Sequence, residues 1–184
     1  MRIYFCGSIR GGRQDVVIYQ RIVQKLQTYG EVLTEHVSHS DISEKGEDAA
    51  LDGDRAIHDR DIEWLMSADV IVAEVTQPSF GVGYELGRAV AVGKKILCLF
   101  RPSSGRVLSA MIRGAETRSR NSLFQVQEYS EDEVERVLED FFSALSPQDL
   151  TRSDVVITGS PCENMVALQM YSTTLLLTLL TGCF

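Results

Sequence analysis

Short apolar runs alternating with helix-period segments constrain this chain most. Arg2–Cys6 (Arg-Ile-Tyr-Phe-Cys), residues 69–75 (Asp-Val-Ile-Val-Ala-Glu-Val) and Lys95–Phe100 (Lys-Ile-Leu-Cys-Leu-Phe) are short and nearly continuous in apolar residues. Such runs read as strands buried on both faces, the pattern of a parallel sheet covered by helices. Residues 31–36 and 124–129 read as two further strands. Between the first two strands, Val16, Tyr19, Ile22, Val23 and Leu26 recur at helical spacing, with Asp15 placed as N-cap and Gly30 as the stop. Asp54–Ser67, a segment that follows the loop 76–83 and ends near Gly93, a short stretch through Arg113, and residues 131–144 read as the other helices. The alternation predicts an α/β doubly wound sandwich with a mostly parallel five-stranded sheet, flavodoxin-like or Rossmann-like. In that architecture ligands bind beyond the carboxyl ends of the strands.

The 184 residues allow one domain and a remainder. The helical pattern stops after Ser146-Pro147, so we expect a catalytic-sized domain at 1–145 and a poorly ordered or weakly docked tail at 146–184. Residues 164–184 carry no charge and include Leu175-Leu176-Leu177-Thr178-Leu179-Leu180. Their length suits a membrane span, but Gln169, Ser172, Thr173, Thr174, Thr178 and Thr181 dilute them and no basic residue follows Arg152. A tail rather than an anchor is the expectation. The net charge of −8 repels a phosphate backbone at long range, so a nucleic-acid polymer is not the expected partner. Any phosphate must be caught locally. Cys6 and Cys98 sit inside apolar runs, and Cys162 and Cys183 lie far away, with no Cys-x-x-Cys spacing. This usage fits reduced, buried thiols and a cytoplasmic or nuclear setting.

Chemistry is expected in the loops after strands one and three. Gly7-Ser8-Ile9-Arg10-Gly11-Gly12 combines glycines, which let backbone N–H groups approach an anion, with a serine and an arginine. It is neither a Walker A loop nor the dinucleotide fingerprint, and taken alone it reads equally as a connecting turn. The later loop offers the Ser79 hydroxyl, Gly81 and Gly83, and then Glu85 in the first turn of the next helix. Val82, Leu86, Ala89 and Val90 form that helix's apolar stripe, and Glu85 borders it. A helix-capping glutamate is the bland alternative. On the segment Asp54–Ser67, Ile57, Asp61 and Leu65 share one line beside Trp64. A carboxyl there is partly desolvated, a setting that raises its pKa and suits it to hold a proton. The neighbouring Asp59 and Glu63 keep a solvated acidic face as the alternative. One ionised and one proton-holding carboxylate are what glycosidic-bond cleavage requires. His36 ends the second strand, where a ligand would touch it, while His39 and His58 read as surface residues; no metal triad is evident.

The stretches Tyr4–Arg13, Leu33–Val37, Ala73–Ser79, Gly81–Ala89 and Arg106–Gly114 resemble the 2′-deoxynucleoside 5′-monophosphate N-hydrolases of the nucleoside 2-deoxyribosyltransferase superfamily. The resemblance runs from about Arg2 to Leu145. It implies cleavage of the N-glycosidic bond of deoxynucleotides to free base and 2-deoxyribose 5-phosphate, without a cofactor, in a homodimer whose subunits complete each other's sites. By resemblance Glu85 is the nucleophile, Asp61 the general acid/base and Tyr4 an active-site tyrosine. Gly7, Ser8, Ile9, Arg10, Gly11, Gly12, Ser79 and Gly81 fall to phosphate and substrate binding, with Ser109 supplied by the other subunit and Met111 near it. His36 falls near base and sugar. Periodicity alone would leave Tyr4 in the core and Ser109 as a neutral helix residue. The alternatives are a deoxyribosyltransferase acting between bases and a non-catalytic nucleotide-sensing module; retention of both carboxylates argues against the latter. The Pro-Gly-Gly-x-Gly-Thr-x-x-Glu signature of cytokinin-activating phosphoribohydrolases is absent.

Overall fold

The computed structural model describes residues 1–9, 15–34, 53–116 and 122–147. Arg10, Gly11, Gly12 and His36, and the tail beyond 147, lie outside the described residues. All described residues belong to one compact unit. In chain order the elements are β1 (Arg2–Cys6), α1 (Val16–Gln27), β2 (Glu31–Val32), α2 (Asp54–Ser67), β3 (Val70–Glu74), α3 (Phe80–Ala91), β4 (Lys95–Phe100), α4 (Ala110–Ala115), β5 (Phe124–Glu128) and α5 (Val134–Ser143). The five strands form one sheet in the order β2-β1-β3-β4-β5, and every pairing is parallel. Among the described residues no helix is long and apolar enough to cross a membrane.

Both faces of the sheet are covered, which is why β1, β3 and β4 are apolar at nearly every position. Ile3, Phe5, Val70, Val72, Leu97 and Leu99 pack against Ile18, Ile22 and Leu26 of α1 and Val134, Leu138 and Phe141 of α5. The alternate residues Tyr4, Cys6, Ile71, Ala73, Ile96 and Cys98 pack against Leu65 of α2 and Val82, Leu86 and Ala89 of α3. Period-two alternation thus sends Tyr4 and Cys6 to the same face, toward α2 and α3. The cysteines Cys6 and Cys98 are free and buried.

Several boundaries differ from expectation. β2 stops at Val32, because Leu33 and Thr34 turn away; the Thr34 hydroxyl instead accepts the Phe5 N–H at 2.8 Å and donates to the Phe5 carbonyl. α3 begins at Phe80, inside the segment expected to be loop, because Ser79 caps it by accepting the Val82 N–H. Two glycines therefore lie within helix. Val90, expected on the buried stripe of α3, is half exposed. Asp15 makes no side-chain cap on α1; its carboxylate is spent on Arg101.

Candidate active site

Tyr4 brings the site together. Its ring is 1% exposed, and its Oη donates to Glu85 Oε1 at 2.7 Å. Burial, then the Glu85 carboxylate, hold the phenol far above its ordinary range, so it stays an O–H donor. The Asp61 charge acts on the same phenol. Two residues along β1, burial and then the Glu85 charge raise the Cys6 thiol well above the usual thiol range. Tyr4 and Glu85 thus meet on the face of the sheet covered by α2 and α3, and the charge of Asp61 on α2 reaches the same phenol.

Glu85 does not sit in the first turn of its helix as expected. α3 starts five residues earlier, so the carboxylate lies one turn in, and no acidic residue occupies the first turn. The donor shown to hold it is Tyr4 Oη on β1. Asp61 shares its line with buried Leu65 as the periodicity implied. Its surroundings are more polar than expected, however. Arg60 Nε and Nη2 donate to Asp61 Oδ1 at 2.9 and 2.7 Å, and the Asp61 side chain is 22% exposed. A guanidinium in contact favours the charged form, against the effect of burial.

The hydroxyl-bearing residues gather separately. Ser79, Ser109 and Met111 line a hollow of about 460 Å³, with Val75, Gln77 and Pro78 among its walls. Val82, Gly83 and Leu86 supply the α3 side, and Tyr4, Asp61 and Glu85 are not in its lining. α3 lies between α2, which packs on β1, and α4, which packs on β5. Within one chain Ser109 therefore shares a hollow with Ser79 that the carboxylates do not line. Gly81 is exposed in the first turn of α3, and a Cβ there would meet only Ser79 Oγ, at 3.7 Å.

The first loop is built differently from the expectation of an anion cradle as far as Ile9. A Cβ on Gly7 would lie 3.0–3.3 Å from the Tyr19 ring, so close approach, not positive φ, requires glycine there. The Ser8 N–H donates to Tyr19 Oη at 3.1 Å, and Ile9 packs against the core on the α1 face. Ser8's own N–H is thus turned inward rather than toward a ligand. At the ends of β3 and β4 lies a polar network that sequence reasoning missed. Glu74 Oε1 accepts from Thr76 and from Tyr129 Oη, and the Arg101 N–H donates to Thr76 Oγ1 at 2.9 Å. The Arg101 guanidinium bridges Asp15 and Glu131. Burial raises the Glu74 carboxyl above its usual range, against the two hydrogen bonds, which lower it. A glutamate inside an otherwise apolar strand run was the available signal.

An open parallel sheet with a glutamate tied to a buried tyrosine, and an aspartate whose charge reaches the same tyrosine, defines a carboxylate-bearing α/β site of the kind that acts on a bound small molecule. The chain belongs to the nucleoside 2-deoxyribosyltransferase family, whose sequence profile matches residues 3–141. It is 73% identical over 146 residues to the 5-hydroxymethyl-dUMP N-hydrolase of Esox lucius, covering 79% of this chain and 99% of that one. The human protein of the same name is 62% identical over 151 residues, 82% of this chain and 84% of its own length. A putative 2′-deoxynucleoside 5′-phosphate N-hydrolase of Trichoplax adhaerens is 58% identical over 142 residues, 77% and 92% of the two chains. Among solved structures, the CMP N-glycosidase BcmB of Clostridium botulinum superposes with a TM-score of 0.53 at 20% identity, covering 76% of this chain and 98% of that one. That likeness concerns the fold.

Proposed function

We propose that this chain hydrolyses the N-glycosidic bond of 2′-deoxynucleoside 5′-monophosphates, with 5-hydroxymethyl-dUMP as the substrate its relatives' names suggest. The observation that carries the reading is the Tyr4–Glu85 hydrogen bond, which fixes one carboxylate at a phenol that a second, Asp61, also acts on. Glu85 attacks C1′ while the C1′–N bond breaks; the bonding pair leaves with the base, which takes a proton from Asp61. The resulting glycosyl ester is opened by water, whose proton passes to Asp61, and the Glu85 carboxylate is released with 2-deoxyribose 5-phosphate. A deoxyribose lacks the electron-withdrawing 2′-hydroxyl, so the oxocarbenium-like state forms more readily than in a ribonucleotide. Tyr4 orients the attacking oxygen. Ser79 and Gly81 at the start of α3, with the first loop including Arg10, Gly11 and Gly12, hold the phosphate, and His36 lies near base and sugar.

The same reading makes the enzyme a homodimer. In this reading a second copy brings its Ser109 to the phosphate, as the family resemblance implies, although within one chain Ser109 shares the hollow of Ser79. Val107 and Met111 flank it at 92% and 83% exposure, and Phe80 is fully exposed across the hollow, an apolar surface suited to burial by a partner. A cytoplasmic or nuclear setting belongs with this proposal.

The test is a panel of 5-hydroxymethyl-dUMP, the matching ribonucleotide and the matching deoxynucleoside, each assayed for free base with and without a competing base. Release from the deoxynucleotide, and far less from the other two, is the expected outcome. A new deoxynucleotide formed from the competing base would make the chain a transferase instead.

A further inference from the structure

Arg60 and Asp61 are neighbours on α2, and neighbours on a helix point about 100° apart, so their contact is not a consequence of helix geometry. It closes because the arginine doubles back. Its guanidinium carbon lies 4.6 Å from the centroid of the Trp64 ring, one turn on, while Nε and Nη2 both reach Asp61 Oδ1. The indole gives the guanidinium a platform, and the two side chains keep 22% exposure each, so water screens the pair only in part.

From these contacts we infer that Arg60 is a positioning residue that sets the pH range over which Asp61 holds the proton for the leaving base. The inference rests on the proposed acid/base role of Asp61. From β1, Tyr4 and Cys6 face Asp61, each feeling its charge. From α3 comes Glu85, whose negative charge acts on the same two β1 groups; Arg88 is the other charged residue of that helix. On α2 itself, His58 and Asp59 are hydrogen-bonded to each other on the exposed side, and His58 also contacts Tyr84. Arg60 is in direct contact with Asp61, and its positive charge favours the charged form. The acid form is needed when the base leaves and the charged form when water attacks. Arg60 therefore favours the second step at the expense of the first.

The experiment is the pH profile of kcat/KM on 5-hydroxymethyl-dUMP for the full chain, for Arg60→Gln and Arg60→Lys, and for Asp61→Asn as the reference. kcat/KM reports the first step, which loses activity as Asp61 gives up its proton on the alkaline side. Arg60→Gln is expected to move the alkaline limb up by about one pH unit, raising kcat/KM above the wild-type limb up to about tenfold. Arg60→Lys keeps the positive charge and is expected to stay within half of that shift. Should the glutamine variant melt early, Arg60→Met keeps an apolar stem on Trp64 and carries the same expectation. An alkaline limb that does not move in the neutral variants, or a uniform loss at every pH, overturns the role of Arg60 while leaving Asp61 in place. Asp61→Asn with wild-type kcat/KM overturns the reading of Asp61 itself.

Discussion

Replacing Tyr4 with phenylalanine removes one atom from the centre of the site and leaves the packing in place. Tyr4 Oη is a buried donor to a carboxylate, at 2.7 Å. A hydrogen bond of this charge-assisted kind contributes about 1.5–3 kcal/mol. If the bond is held through the transition state to orient the attacking oxygen, its loss lowers kcat/KM about 10–150-fold. The ring itself, which packs between β3 and α2, is retained, so the fold should survive with a stability loss on the order of 1–3 kcal/mol. The donor also favours the charged form of Glu85, so without it the acid limb of kcat/KM moves to higher pH. The assay is deoxyribose 5-phosphate release from 5-hydroxymethyl-dUMP across pH, beside a urea melt. A Tyr4→Phe variant within twofold of wild type, with its acid limb unmoved, would refute the reasoning.

Other expectations follow from the geometry. Glu74 has its carboxyl raised by burial, so the folded chain binds that proton more tightly than the unfolded one. Its stabilising effect is full below the ordinary carboxylate range and is lost as pH rises through the folded value; urea melts of Glu74→Gln should show it gaining on wild type between acid and neutral pH, and a gap that does not change with pH would count against this. Lys94 Nζ donates to the Met66 and Ala68 carbonyls at 2.6 and 2.7 Å, closing the C-terminal end of α2. Lys94→Met should cost about 1.5–3 kcal/mol in a denaturant melt. Gly7→Ala places a methyl against the Tyr19 ring and should cost about 1–3 kcal/mol, measurable in the same melt. Charge placed at Val107 and Met111 together should shift a dimer toward monomer in sedimentation and reduce activity; an unchanged mass would argue that this surface is not the interface.

The sheet could be read from residues because β1, β3 and β4 are buried on both faces, which leaves no polar alternation to confuse them. Asp61 and Glu85 stood out for the same reason: each is an acid bordering an apolar stripe. The start of α3 was hidden because Gly81 and Gly83 read as loop, and the Ser79 cap outweighs their low helix propensity only when α3 can bury Val82 and Leu86. Tyr4 looked like core because strand periodicity reports burial, not what the phenol bonds. Arg60 was invisible as a partner of Asp61, since the contact requires a doubled-back side chain. Arg101 was likewise hidden, because its partners Asp15 and Glu131 are far away in the chain.

The claim at the centre is that Glu85 forms a bond to the sugar. Acid-quenched enzyme taken during turnover of 5-hydroxymethyl-dUMP, digested and analysed by mass spectrometry, tests it directly. The expected result is a 2-deoxyribose 5-phosphate adduct on the peptide carrying Glu85, absent from Glu85→Gln. A Glu85→Gln variant that folds, carries no adduct and still releases base at the wild-type rate would contradict it.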